Sequence, residues 1–134
     1  MSDDAAGVTT NGVRRIYRIL CHLAWCDGDV ASAERSYLDR LREQFGIGDT
    51  EALELEAAGK LGEGLTMGKR EDERALLIDC MIDVTMADGV LAAPEQKKLI
   101  KIGTKLGLSE RTLAERILQR ARAGGKRLQA SEGA

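Results

Sequence analysis

With 134 residues, 43% of them hydrophobic and 31% charged, the chain has the composition of one globular domain. A net charge of −2 provides no whole-molecule field for nucleic acid or an anionic membrane. One proline, 3% aromatics and an excess of Ala, Leu, Glu, Arg and Lys argue against a β fold. Three cysteines, an odd number, exclude a fully paired disulfide framework.

The chain opens Met1-Ser2-Asp3-Asp4, acidic and without an apolar signal region, and residues 1–9 are expected to be disordered. From about Thr10, Val13, Ile16, Tyr17, Leu20, Leu23 and Ala24 fall on one helical stripe that ends at Asp27-Gly28. Cys21 and Cys26, five apart on that helix, point roughly 140° away from each other at about 100° per residue, so they read as buried reduced thiols and not as a metal pair. Reduced thiols favour the cytoplasm. A second helix is expected from Ser32, with Leu38, Leu41 and Phe45 inward and Gly46 at its end. A third runs from about Asp49, read as its cap, to Lys60.

Gly59, Gly62, Gly64 and Gly68 mark the best candidate hinge. A fourth helix opens on the charged turn Lys69 to Arg74, carries Leu76, Leu77, Cys80, Met81 and Val84, and stops at Asp88-Gly89. Pro94 suits the first position of a fifth helix, Leu99, Ile102 and Leu106 line it, and Gly107 closes it. Ser109 caps a sixth helix with Leu113, Ile117 and Leu118, followed by Gly124-Gly125 and a tail expected to be disordered over 124–134. The basic residues Arg111, Arg116, Arg120, Arg122, Lys126 and Arg127 read as a solvated helix face and tail. No stretch approaches the roughly 18 apolar residues of a membrane span, so any membrane contact is expected to be peripheral.

The two halves align without a gap at an offset of 61 residues: Asp27 with Asp88, Gly28 with Gly89, Ala31 with Ala92, Glu34 with Glu95, Leu38 with Leu99, Gly46 with Gly107. Shared apolar register is common to any two amphipathic helices. The repeated Asp-Gly, the Glu seven residues on and the Gly at each helix end are harder to obtain by chance. The expected fold is therefore an all-α single-domain bundle of about six helices over 10–123. Two three-helix repeats, about 10–61 and 69–123, would pack around a pseudo-twofold axis because each repeat cannot bury its own apolar face.

Each repeat sets an Asp at a helix C-terminus and a Glu in the next first turn. The Glu is favoured there by the helix dipole, by about 0.3–1 kcal/mol. The Asp is opposed by the dipole and needs compensation, either from backbone N–H groups of the turn or from a cation, since hard divalent ions take several oxygen ligands. The first repeat adds His22 and Asp29 to Asp27 and Glu34, and the second sets Asp83 with Asp88 and Glu95. The spacing is not that of an EF-hand, whose last acid comes eleven residues after its first. Turn-and-cap structure and a metal site are both open on this pattern, and His22 alone reads as a satisfied helix residue. No phosphate loop, His-Glu-x-x-His or nucleophile elbow occurs. The relative direction of the two long helices decides whether the acids can merge, because antiparallel helices would hold the turns about 24 Å apart.

The segments Leu23-Ala24-Trp25-Cys26-Asp27-Gly28-Asp29-Val30-Ala31-Ser32-Ala33-Glu34 and Val84-Thr85-Met86-Ala87-Asp88-Gly89-Val90-Leu91-Ala92-Ala93-Pro94-Glu95 resemble the doubled "Ala-Asp-Gly, then Glu" motif of the TerB-like tellurite-resistance superfamily. The resemblance runs from about Val13 to Arg122. It implies a duplicated all-α bundle in the cytoplasm, often at the inner face of the membrane, a role in stress responses, and binding of a divalent metal or a protein partner; the candidate ions for this chain are Ca²⁺, Mg²⁺, Mn²⁺ and Zn²⁺. Carried to this chain, it points to Asp27, Glu34, Asp88 and Glu95, with no catalytic residues. The chain departs from the motif at Cys26, where Ala is usual, and at the extra acid Asp29.

Overall fold

Amphipathic stripes become six helices in the structure, a computed structural model that describes residues 8–25, 32–62, 65–87, 90–123 and 127–128. They are α1 (Thr10–Trp25), α2 (Ser32–Phe45), α3 (Asp49–Leu61), α4 (Glu71–Thr85), α5 (Ala93–Lys105) and α6 (Glu110–Ala123). The protein is an all-α bundle. The starts of α4, α5 and α6 fall 61 residues after those of α1, α2 and α3.

Chain chemistry sets the ends. The Thr9 hydroxyl accepts the Gly12 N–H at 3.1 Å, closing the start of α1, and the Ser109 hydroxyl accepts the Thr112 N–H at 3.3 Å at α6. Gly46 and Gly107 end α2 and α5 with φ of 72° and 99°, a left-handed turn that suits glycine. Asp49 is not the cap of α3: Gly48 holds that position, and Asp49 instead accepts from Arg42 at 2.5 Å. Pro94 stands second in α5, after Ala93, where its missing N–H is equally harmless. Gly59 does not belong to a hinge. It is buried inside α3, and α3 ends at Gly62, whose φ is 73°.

The core is built on α1 and α4. Ile16, Leu20 and Leu23 of α1 and Leu77, Met81 and Val84 of α4 are all but sealed from solvent, and each such side chain stabilises the fold by about 1.5–3 kcal/mol. α3 lies along α1, α6 and α5 lie along α4, and α2 touches both central helices. The N-terminal ends of α1 and α4 meet: the Arg15 guanidinium donates two hydrogen bonds, of 2.8 and 2.7 Å, to Glu73. That contact excludes a fully overlapped antiparallel pair, in which the start of α1 would face the end of α4. Two short segments, β1 (Val90–Leu91) and β2 (Arg127–Leu128), pair in parallel and add no layer to the bundle. Val8, which is buried, and Arg127–Leu128 of this pairing belong to the stretches that the sequence pattern assigned to the tails.

Candidate functional site

Asp27, Asp29 and Asp88 lie outside the described residues, so the acidic turns are seen from their flanks. Glu34 is half-buried in the first turn of α2. Glu95 holds the matching place in α5, where its carboxylate accepts the Ala92 N–H at 3.1 Å. That is the returning half of a capping box; Ala92 has no side-chain oxygen to supply the other half. A carboxylate with one such bond keeps further lone pairs for another donor or an ion.

His22 and Asp83, at matching positions of the two long helices, do different work. The His22 Nδ1 lies 3.1 Å from the Gly59 carbonyl oxygen, and because a carbonyl only accepts, Nδ1 carries the proton. Asp83 takes a bidentate grip from Arg120, with Nε at 3.1 Å, while Arg116 donates to Asp79 at 2.5 Å. Arg116 and Arg120, read from the sequence as a solvated face, thus close the α4–α6 seam. Among the described residues, no three His, Cys, Asp or Glu side chains form a group able to hold a metal ion.

The strongest polar features escaped the sequence reading. Glu56 is only 8% exposed and accepts from Arg35 at 2.9 Å and from the Tyr17 hydroxyl at 3.3 Å. Its signal was an acid on the buried stripe of α3, between Ala52, Leu55 and Gly59. Glu73, 1% exposed, is held by Arg15 and by the Gly68 N–H at 2.8 Å. The Arg15 guanidinium, helped by that N–H and opposed by burial, holds the Glu73 carboxyl below the ordinary carboxylate value. The signal here was Gly12, the residue at the matching position of α1: a Cβ there would fall 2.8 Å from the Glu73 carboxylate. Trp25, beside the first acidic turn, has Arg35 at 5.5 Å and Lys60 at 5.1 Å from its ring centre, a cation–π pairing in keeping with a packing role. Cys21 and Cys80 are free and buried, and burial pushes both thiols up to about 12, so neither is a nucleophile in the folded protein.

Residues 54–117 match the family model described as Tellurite resistance protein TerB. Over that span the chain is TerB-like. The matched span runs from within α3 to within α6 and contains the second acidic turn with Asp88 and Glu95. No curated protein and no solved structure matches the chain. No helix among the described residues is long and apolar enough to cross a membrane.

Proposed function

We propose that this TerB-like chain is a non-enzymatic, cytoplasmic stress-response module. Its acidic turns would hold a divalent cation and present a surface to a protein partner. The ligands in this reading are Asp88 with Glu95 and Asp27 with Glu34, and the candidate ions are Ca²⁺, Mg²⁺, Mn²⁺ and Zn²⁺. One observation carries it: Glu34 and Glu95 occupy the same first-turn place in helices that follow identical Asp-Gly pairs 61 residues apart. A pseudo-twofold packing of the two repeats belongs to the same reading. It is supported by helix starts that recur at that offset, and by seam contacts that join residues 37 apart in both halves.

A second reading, a protein-binding scaffold without metal, is favoured by how the flanking groups are used. Glu95 caps its helix, Asp83 pairs with Arg120, and His22 bonds to Gly59. An ion-by-ion thermal-shift series separates the two. On the metal reading one ion raises Tm, by about 2.7 kcal/mol of stability at a hundredfold excess over Kd, and Asp27→Asn with Asp88→Asn removes the gain. No response to any of the four ions at millimolar excess leaves the scaffold.

A further inference from the structure

The end of α3 and one face of α5 enclose an open cleft of about 540 Å³. Its floor is apolar, with half-buried Leu65 and Ile102, while Leu61 stands at its mouth and its rim carries Lys98, Lys101 and Lys105. No Asp or Glu is among its described lining residues. The three lysines recur at helical spacing, which places them on one side of α5, where like charges at i, i+3 and i, i+4 repel. Leu61 is 72% exposed, an unusual position for a large apolar side chain at the mouth of a charged cleft.

The other half of the chain explains the shape. The residue 61 positions before Lys98 is Tyr37, half-buried on α2, whose hydroxyl meets the Cys80 thiol and which lies near Asp83. There an aromatic ring covers the long helix. Here a lysine stands at the same register, and the space over His22 is left open. The cleft has the size of small-ligand sites, roughly 300–1,000 Å³, and their mix of apolar floor and few convergent charges.

We propose that this cleft binds a small amphipathic organic anion. A carboxylate, sulfonate or phosphate group would be held by Lys101 and Lys105, and a ring or alkyl body would lie on Leu61, Leu65 and Ile102. A free small molecule is the occupant, not a bilayer: a flat anionic surface meets the rim lysines but cannot reach a concave floor. The site uses none of the four principal acids, so it stands or falls apart from the metal reading.

The test is a fluorescence titration of the full chain with 8-anilinonaphthalene-1-sulfonate and with its uncharged relative N-phenyl-1-naphthylamine, with amide chemical shifts to locate the probe. Lys101, Lys105 and Leu61 are exposed, so their variants keep the fold, as circular dichroism would verify. Lys101→Gln with Lys105→Gln should weaken the sulfonate by about tenfold, the loss expected from two charge-assisted contacts, and leave the uncharged probe unchanged. Leu61→Gln should weaken both probes. Equal sulfonate affinity in the lysine variant, shifts that map away from α5 and the end of α3, or binding to phosphatidylglycerol vesicles without binding to the free sulfonate would each overturn the proposal.

Discussion

Along the α1–α3 seam, Arg14 meets Glu51 and His22 meets Gly59; along the α4–α6 seam, Asp79 meets Arg116 and Asp83 meets Arg120. Every partner lies 37 residues on, so one register serves both seams. The chemistry inside them is opposite. The first seam buries Tyr17 against Glu56 and brings the helices together at Gly59. At the matching positions the second has Ile78 and Ile117, both buried, and Arg120, turned outward to Asp83. One seam keeps a polar pair, Tyr17 and Glu56, within and must satisfy it, besides its rim pair Arg14–Glu51. The other is apolar within and carries its charges on the rim. The same contrast appears where the halves meet, with Gly12 on α1 facing Glu73, its register mate on α4.

The largest way to break this comparison is at Glu73. Glu73→Ala leaves the Arg15 guanidinium and the Gly68 N–H without their acceptor and should cost about 3 kcal/mol in urea denaturation. Because the folded carboxyl titrates below its ordinary 4.5, Glu73 stabilises the fold above that value, and the contribution is lost as pH falls through the lower folded value. Glu73→Gln should therefore flatten the acid limb of the stability profile below about pH 4.5; an unchanged limb would assign acid unfolding to other groups.

Next comes Gly59→Ala, whose new Cβ would lie 2.7 Å from the Arg18 carbonyl oxygen and from the Cys21 Cβ. Backbone cannot swing aside, so the change should cost about 2 kcal/mol, although alanine is the better helix former. A neutral result would mean that the first seam can open.

Glu56→Ile copies the second seam's residue into the first and strands the Tyr17 hydroxyl, for a loss of about 1–2 kcal/mol. Adding Tyr17→Phe removes the orphaned donor and should bring stability back to within about 1 kcal/mol of the parent. A double variant weaker than both singles would refute the interchangeability of the two seams. On the rim, Asp83→Asn should cost less than about 1 kcal/mol, and the loss should shrink in added salt, because both partners are about a third exposed. The smallest effect expected is none: iodoacetamide should leave Cys21 and Cys80 unmodified until the chain unfolds, and native-state labelling of either would contradict its burial.

Much of the fold was readable in advance because helix periodicity is local. Gly46 and Gly107 mark helix ends by their own backbone preference, and the 61-residue offset of the sequence recurs in the starts of the later helices. What stayed hidden depends on partners distant in sequence. Arg116 and Arg120 looked like solvent-facing charge because nothing near them in sequence reveals Asp79 and Asp83 across the seam. Glu56 was visible as an acid on an apolar stripe, but its partner Tyr17 is 39 residues away. For the candidate site, the sequence located Glu34, Glu95, His22 and Asp83 on their helices. It could not say that Glu95 would cap α5 or that Asp83 would be held by an arginine.

The pairing of Val90–Leu91 with Arg127–Leu128 is parallel, so its two strands need a long crossover, and α5 and α6 supply it. The second half is thereby cinched into a ring whose clasp sits just past the second Asp-Gly pair. A pull on the C-terminal end loads that clasp before it loads α6. The first half has no such fastening among the described residues. Mechanical tension applied at Arg127–Leu128 therefore reaches the segment just past the second Asp-Gly pair.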